Sequence, residues 1–135
     1  MVLHEGKVLK LGPLAQFVLD RRIPLEICLS SNVQTGAVAT LAEHPFGVFY
    51  REHFRVTLNT DNRLMSATTL SQEYALAVKH FGLDFDDLEK IAINTMKSAF
   101  IGYDPRCEII FGVIKPGFRK LREELKLPPA RSRFA

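Results

Sequence analysis

Two short apolar runs, residues 24–29 and residues 55–58, constrain this chain more than any other feature. The first is nearly continuous, with Ile27 at its centre and Glu26 as its one charge. Pro24 opens it and Ser30-Ser31-Asn32 follows it. The second is led in by Phe54 and stops at Asn59-Thr60-Asp61-Asn62. Strands apolar along their whole length, with helical segments on either side, belong to parallel sheets covered on both faces. Between the two runs lies a loop over residues 32–36 and then a helical pattern from His44-Pro45 to His53, with Phe46, Phe49 and Tyr50 inward. A strand, a helical crossover and a second parallel strand are therefore expected.

The rest of the chain reads as helix. Residues 11–22 carry Leu14, Phe17 and Val18 at helical spacing, with Pro13 in the first turn and Arg21 and Arg22 at the end. Ser66 or Thr69 offers a cap for a helix over residues 70–81, which Gly82 ends. Asp84 caps the next helix, whose packing stripe is Leu88, Ile91, Ala92, Thr95, Met96, Ala99 and Phe100. Asp104-Pro105 starts a last helix, and Pro116-Gly117 is expected to kink or break it near Lys115. The fold class is α/β, with too much helix for two strands and both sheet edges open.

Composition narrows the function classes. Among the 135 residues, 47% are apolar and 24% charged, which excludes wholesale disorder. No run approaches the ~18 apolar residues of a membrane span, and no apolar stretch of a secretory signal follows Met1. Cys28 and Cys107 cannot build a disulfide framework or a four-thiolate zinc site, and read as thiols of a reducing cytoplasm. From Lys115 onward seven cations face two acids, so the net charge of +3 belongs to the end of the chain. A solvated last helix accounts for that basicity. No aromatic stacking platform or nucleic-acid module accompanies it.

The polar clusters after the two runs carry the chemistry. In a parallel sheet both lie at the carboxyl edge, where α/β folds keep their active sites. A carboxylate there, Asp61, beside hydroxyls and amides, suits a metal ligand or an acid/base, although the same residue types also build turns. His4, His44, His53 and His80 are scattered and form no metal-binding spacing. No glycine-rich phosphate loop or nucleophile elbow is present.

The stretch Pro24-Leu25-Glu26-Ile27-Cys28-Leu29-Ser30-Ser31-Asn32-Val33-Gln34-Thr35-Gly36 resembles the seventh-strand segment of the adenosine deaminase family. Arg55-Val56-Thr57-Leu58-Asn59-Thr60-Asp61-Asn62 resembles its eighth strand, in the form found in actinobacterial-type members. Residues 70–100, with Asn94-Thr95-Met96-Lys97-Ser98-Ala99-Phe100, are similar to the helices that follow. The resemblance spans about residues 5 to 125. It implies the carboxyl-terminal part of a (β/α)8 TIM barrel: two parallel strands plus closing helices over residues 1–127, and a basic, flexible tail over residues 128–135. Such barrels need roughly 250 residues.

The resemblance also implies a reaction: zinc-dependent hydrolytic deamination of adenosine to inosine, in the cytoplasm. Zn2+ supplies hydroxide near neutral pH, and a glutamate and a histidine assist. Asp61 matches the family's zinc-binding aspartate and is placed to accept a hydrogen bond from the attacking water. Asn62 departs from a second aspartate that contacts purine N7 in many members. A neutral amide donates to N7 without needing a proton. Ser30 and Ser31 are expected to orient Asp61 from behind. The family's H-x-H, H-A-G-E and G-H-G motifs are absent, so the chain by itself lacks most of the catalytic set and is expected to be inactive alone. The expected partner is a purine nucleoside, not nucleic acid or membrane, with homo-oligomers possible through exposed barrel edges. Two alternatives remain: another adenine compound as substrate, or a non-catalytic, self-associating half-barrel.

Overall fold

In a computed structural model, which describes residues 2–4 and 7–131, the two apolar runs pair as expected. An antiparallel pair comes first, β1 (Val2–His4) with β2 (Lys7–Lys10). Helix α1 (Pro13–Asp20) follows, with proline in its first turn where a missing N–H costs nothing. Strand β3 (Pro24–Ile27) leads into the short helix α2 (Leu29–Gln34). A 3-10 turn (Leu41–Glu43) and helix α3 (Phe46–Arg51) cross over to strand β4 (Arg55–Leu58). β3 and β4 are parallel, in the register Leu25 with Val56 and Ile27 with Leu58. Helices α4 (Arg63–Ser66) and α5 (Leu70–Phe81) complete a first compact unit, Met1–Leu83.

Its core is built around β4. Val56, Thr57 and Leu58 are essentially inaccessible, as are Leu29, Phe46 and Ala77. The Phe46 ring lies 4.9 Å from that of Phe81, the last residue of α5. Gly47 permits this approach, since a Cβ there would come within 3.1 Å of the Phe81 ring. Thr69, rather than Ser66, caps α5 by accepting from the Gln72 N–H, and Gly82 ends the helix with φ +67°.

The second unit, Asp84–Ala135, is helical in its described residues. Asp84 and Asp87 form a reciprocal capping box on α6 (Phe85–Ser98). Helix α7 (Tyr103–Ile109) runs through a π-helical turn (Ile110–Ile114) into α8 (Lys115–Glu124). Of the kink or break expected near Lys115, the break is absent, and the helical run changes there from a π turn to α8. The π turn lies just before α8 and reorganises the hydrogen bonds that the proline ring would otherwise disrupt. The α6 stripe also differs from expectation. Ile91, Ile93 and Asn94 are buried, while Phe100 lies beyond the helix and is 98% exposed. Arg122 pairs with Asp86 and lies over the Phe85 ring, which packs on Phe118. Arg131, within the expected tail, pairs with Asp84, Asp86 and Asp87. Arg133 lies outside the described residues. No helix among those residues is long and apolar enough to cross a membrane.

His44 is 7% exposed and fully committed. Its Nδ1 accepts from the Phe46 N–H at 3.0 Å, and its Nε2 lies 3.1 Å from the Asn32 Oδ1. This pairing holds the ring neutral with Nε2 protonated. Burial pushes its pKa below the ordinary histidine value. The unfolded chain then binds the proton more readily, so stability is full above about pH 6.5 and declines as pH falls toward the lowered folded value. Urea unfolding between pH 7 and 5.5 should show that decline. His44→Asn, whose Oδ1 replaces Nδ1 as acceptor, should flatten it.

Ala67 ends α4 with φ +48°, a left-handed conformation that costs a side chain roughly 1 kcal/mol. Ala67→Gly should stabilise the chain by about 0.5–1 kcal/mol in the same unfolding measurement.

Candidate functional site

The site is built where the two parallel strands end. The Asn59 N–H donates to the Ile27 carbonyl at 2.9 Å, carrying the pairing one residue past β4. Behind it, the buried Thr57 Oγ1 accepts from the Asn59 Nδ2 at 2.8 Å. Asp61 then turns the chain with φ +54°. Four other non-glycine residues among those described share a positive φ: Arg22, His53, Ala67 and Lys126. Each of those follows the last turn of a helix, where a left-handed residue closes the open carbonyls. Asp61 follows a strand. Aspartate tolerates this conformation better than most residues.

The carboxylate is exposed and held from below. The Ser31 Oγ, on α2 and 6% exposed, donates to the Asp61 Oδ2 at 2.8 Å. Of the two serines expected to orient Asp61, Ser31 supplies the hydroxyl. Ser30 instead donates its backbone N–H to the Glu73 Oε2 at 3.2 Å. Asn62 is exposed and caps α4, its Oδ1 accepting from the Met65 N–H at 3.2 Å. The Nδ2 end of that amide carries its donors. Leu64 and Met65, which follow closely in the chain, are 92% and 81% exposed.

Of the loop expected over residues 32–36, residues 32–34 instead belong to α2. Ser30, Ser31 and Asn32 all lie within it. Asn32 meets His44, and the Gln34 Nε2 donates to the Ser66 carbonyl at 3.1 Å. Cys28, at the N-terminal end of α2, has its thiol pKa raised by burial and then by the Asp61 and Glu73 carboxylates. A hydrogen bond from the Asp61 backbone N–H works against that shift.

Glu73 is the residue that the sequence reading passed over. It is wholly buried, and its Oε1 accepts from the Thr68 Oγ1 at 2.7 Å. Its spacing from Ala77, four residues on and also buried, puts it on the inner face of α5, so a periodicity count including acidic residues would have found it.

Zinc in a catalytic site takes three protein ligands. Among the described residues no three histidine, cysteine, aspartate or glutamate side chains gather to hold a metal. His44 is committed elsewhere, His53 and His80 lie exposed at helix ends, and the His4 side chain is outside those described. The described residues offer an oxygen donor at Asp61 and do not by themselves fit a catalytic zinc.

The adenosine deaminase family model matches residues 4–116. The chain belongs to the adenosine deaminase family. It is 54% identical to adenosine deaminase 1 of Streptomyces coelicolor over 121 residues, covering 90% of this chain and 31% of that protein. It is 59% identical to the adenosine deaminase of Mycobacterium marinum over 117 residues, covering 87% of this chain and 32% of that one. The chain thus spans about a third of the length of the curated relatives it matches. Among solved structures, a zinc-bound amidohydrolase from Burkholderia ambifaria superposes with TM-score 0.73 at 20% identity, covering 84% of this chain and 32% of that one. The likeness is one of fold, that of part of an α/β barrel.

The Ser31–Asp61 bond yields a direct check. Ser31→Ala and Asp61→Ala, singly and together, form a double-mutant cycle in which the backbone strain at residue 61 cancels. The coupling energy from urea unfolding should be about 0.5–1.5 kcal/mol. A value near zero would show that the bond is not formed.

Proposed function

We propose that this chain supplies the carboxyl-terminal part of a zinc-dependent enzyme that deaminates adenosine to inosine by hydrolysis. Family membership and 54–59% identity to adenosine deaminases support the reaction class. The observation that carries the reading is Asp61, exposed at the end of β4 in a left-handed turn and anchored by Ser31.

In this reading Asp61 is the carboxylate ligand of the zinc, whose chemistry is to acidify water. The remaining ligands come from sequence outside these residues. Ser31 fixes one carboxylate oxygen, so the group arrives oriented instead of losing rotamer freedom on binding. Asn62 uses its oxygen to cap α4 and presents its amide N–H to an acceptor such as a purine ring nitrogen. The exposed Leu64 and Met65 add apolar area that suits the face of a base. The setting is the cytoplasm, in purine metabolism. The isolated chain, with one donor of a three-ligand set, does not turn over adenosine.

The test grafts this sequence into the Mycobacterium marinum deaminase in place of the 117 residues it matches. The graft should hydrolyse adenosine and hold zinc. Asp61→Ala should lower kcat/KM by about a thousandfold or more and release the metal. Asn62→Ala should chiefly raise KM, by about tenfold. Turnover by the graft with Asp61→Ala intact in rate and zinc content would refute the assignment. Chelator-sensitive turnover by the isolated chain would refute the claim that its ligand set is incomplete.

A further inference from the structure

Helix α2 has a problem at its start that its own residues do not solve. The first N–H groups of a helix lack partners within it. Cys28, at the N-cap position, makes no side-chain cap. Serine and asparagine, which fill the middle of α2, are weak helix formers. The cap comes from 43 residues away, where the Glu73 Oε2 on α5 accepts the Ser30 N–H. Its other oxygen accepts from Thr68, which is 7% exposed, and Glu73 itself is 0% exposed. A carboxylate buried to this degree is costly unless its oxygens are hydrogen-bonded, and here both oxygens are.

The residue after Ser30 is Ser31, whose hydroxyl holds Asp61. A shift of the first turn of α2 therefore moves the hydroxyl that anchors the candidate ligand. We infer that Glu73 is a positioning residue for the site: by capping α2 it sets where Ser31 meets Asp61. The inference deepens the deaminase reading, since the value of that placement depends on the role of Asp61. Glu73 touches none of the reacting atoms in this scheme. It acts through the backbone of α2.

Glutamine keeps both bonds: its carbonyl oxygen accepts from Ser30, and its amide donates to the Thr68 hydroxyl, which reverses direction. Leucine keeps the bulk and loses both. The test uses Glu73→Gln, Glu73→Leu and a control, Ala77→Gly, which disturbs a buried neighbour on the same helix. In the chain itself, amide hydrogen exchange at Ser30 is read against Asn59, whose N–H bonds Ile27. Glu73→Leu should speed Ser30 exchange relative to Asn59 by about tenfold or more, with Glu73→Gln within about threefold of the unsubstituted chain. Ala77→Gly should move both amides alike. An unchanged ratio in Glu73→Leu, or the same change in Ala77→Gly, would overturn the capping role.

In the grafted deaminase, Glu73→Leu should lower kcat by about 10–100-fold with KM within about twofold, and Glu73→Gln should restore most of the rate. Equal losses in the two variants would overturn the positioning role. An inactive unsubstituted graft would instead overturn the deamination reading, and the exchange ratio would then decide the placement of α2 alone.

Discussion

The parallel register of β3 and β4 is the constraint on which the rest of the first unit depends. Ile27 stands opposite Leu58, and the Asn59 N–H closes on the Ile27 carbonyl. Both strands therefore finish at the same level, and the residues after each are neighbours despite lying about 30 positions apart. A one-residue slip would turn the side chains of β4 to the opposite face. It would exchange the places of Thr57 and its neighbours Val56 and Leu58 in a strand buried on both faces, and carry Asp61 away from Ser31. The close packing of β4 thus enforces the geometry of the site, because the cost of repacking falls on the same strand that delivers the carboxylate.

A layer of polar anchors turns that register into fixed side chains. Glu73, His44 and Ser66 reach α2 through Ser30, Asn32 and Gln34. Each contact joins residues at least 12 positions apart, so α2 is a product of the folded unit more than of its own sequence. Its Ser31 hydroxyl is the last link to Asp61. The second unit is organised separately, around the carboxylates that open α6 and the cations Arg122 and Arg131. Asp84 and Asp86 are held below the ordinary carboxylate range, Asp84 because its hydrogen bond to Arg131 outweighs the opposing effect of burial together with its other contacts, and Asp86 chiefly through the Arg131 backbone N–H.

Elements with a strong local signal were legible in the sequence. The bounds of β4 and α5 match those read from apolar pattern and capping residues. The strand-end clusters pointed to Asp61 and Ser31, because parallel strands bring their carboxyl ends together. What failed had causes beyond local reach. Residues 32–34 look like part of a loop, since the helical state of α2 rests on a cap from α5. Pro116-Gly117 reads as a kink or a break, and that the chain stays helical through it by way of a π turn is not visible in composition. Glu73 escaped notice because an acid on an inner helix face is conspicuous only when acids are counted among the buried positions.

The central claim is that the end of β4 delivers Asp61 to a metal. Anomalous diffraction at the zinc edge, from crystals of a Mycobacterium marinum deaminase carrying this sequence in the matched position, tests it most directly. The account predicts a zinc peak against the Asp61 carboxylate, with Ser31 still on its other oxygen. A zinc peak ligated without Asp61, or Asp61 turned away from Ser31 beside an occupied metal, would contradict it.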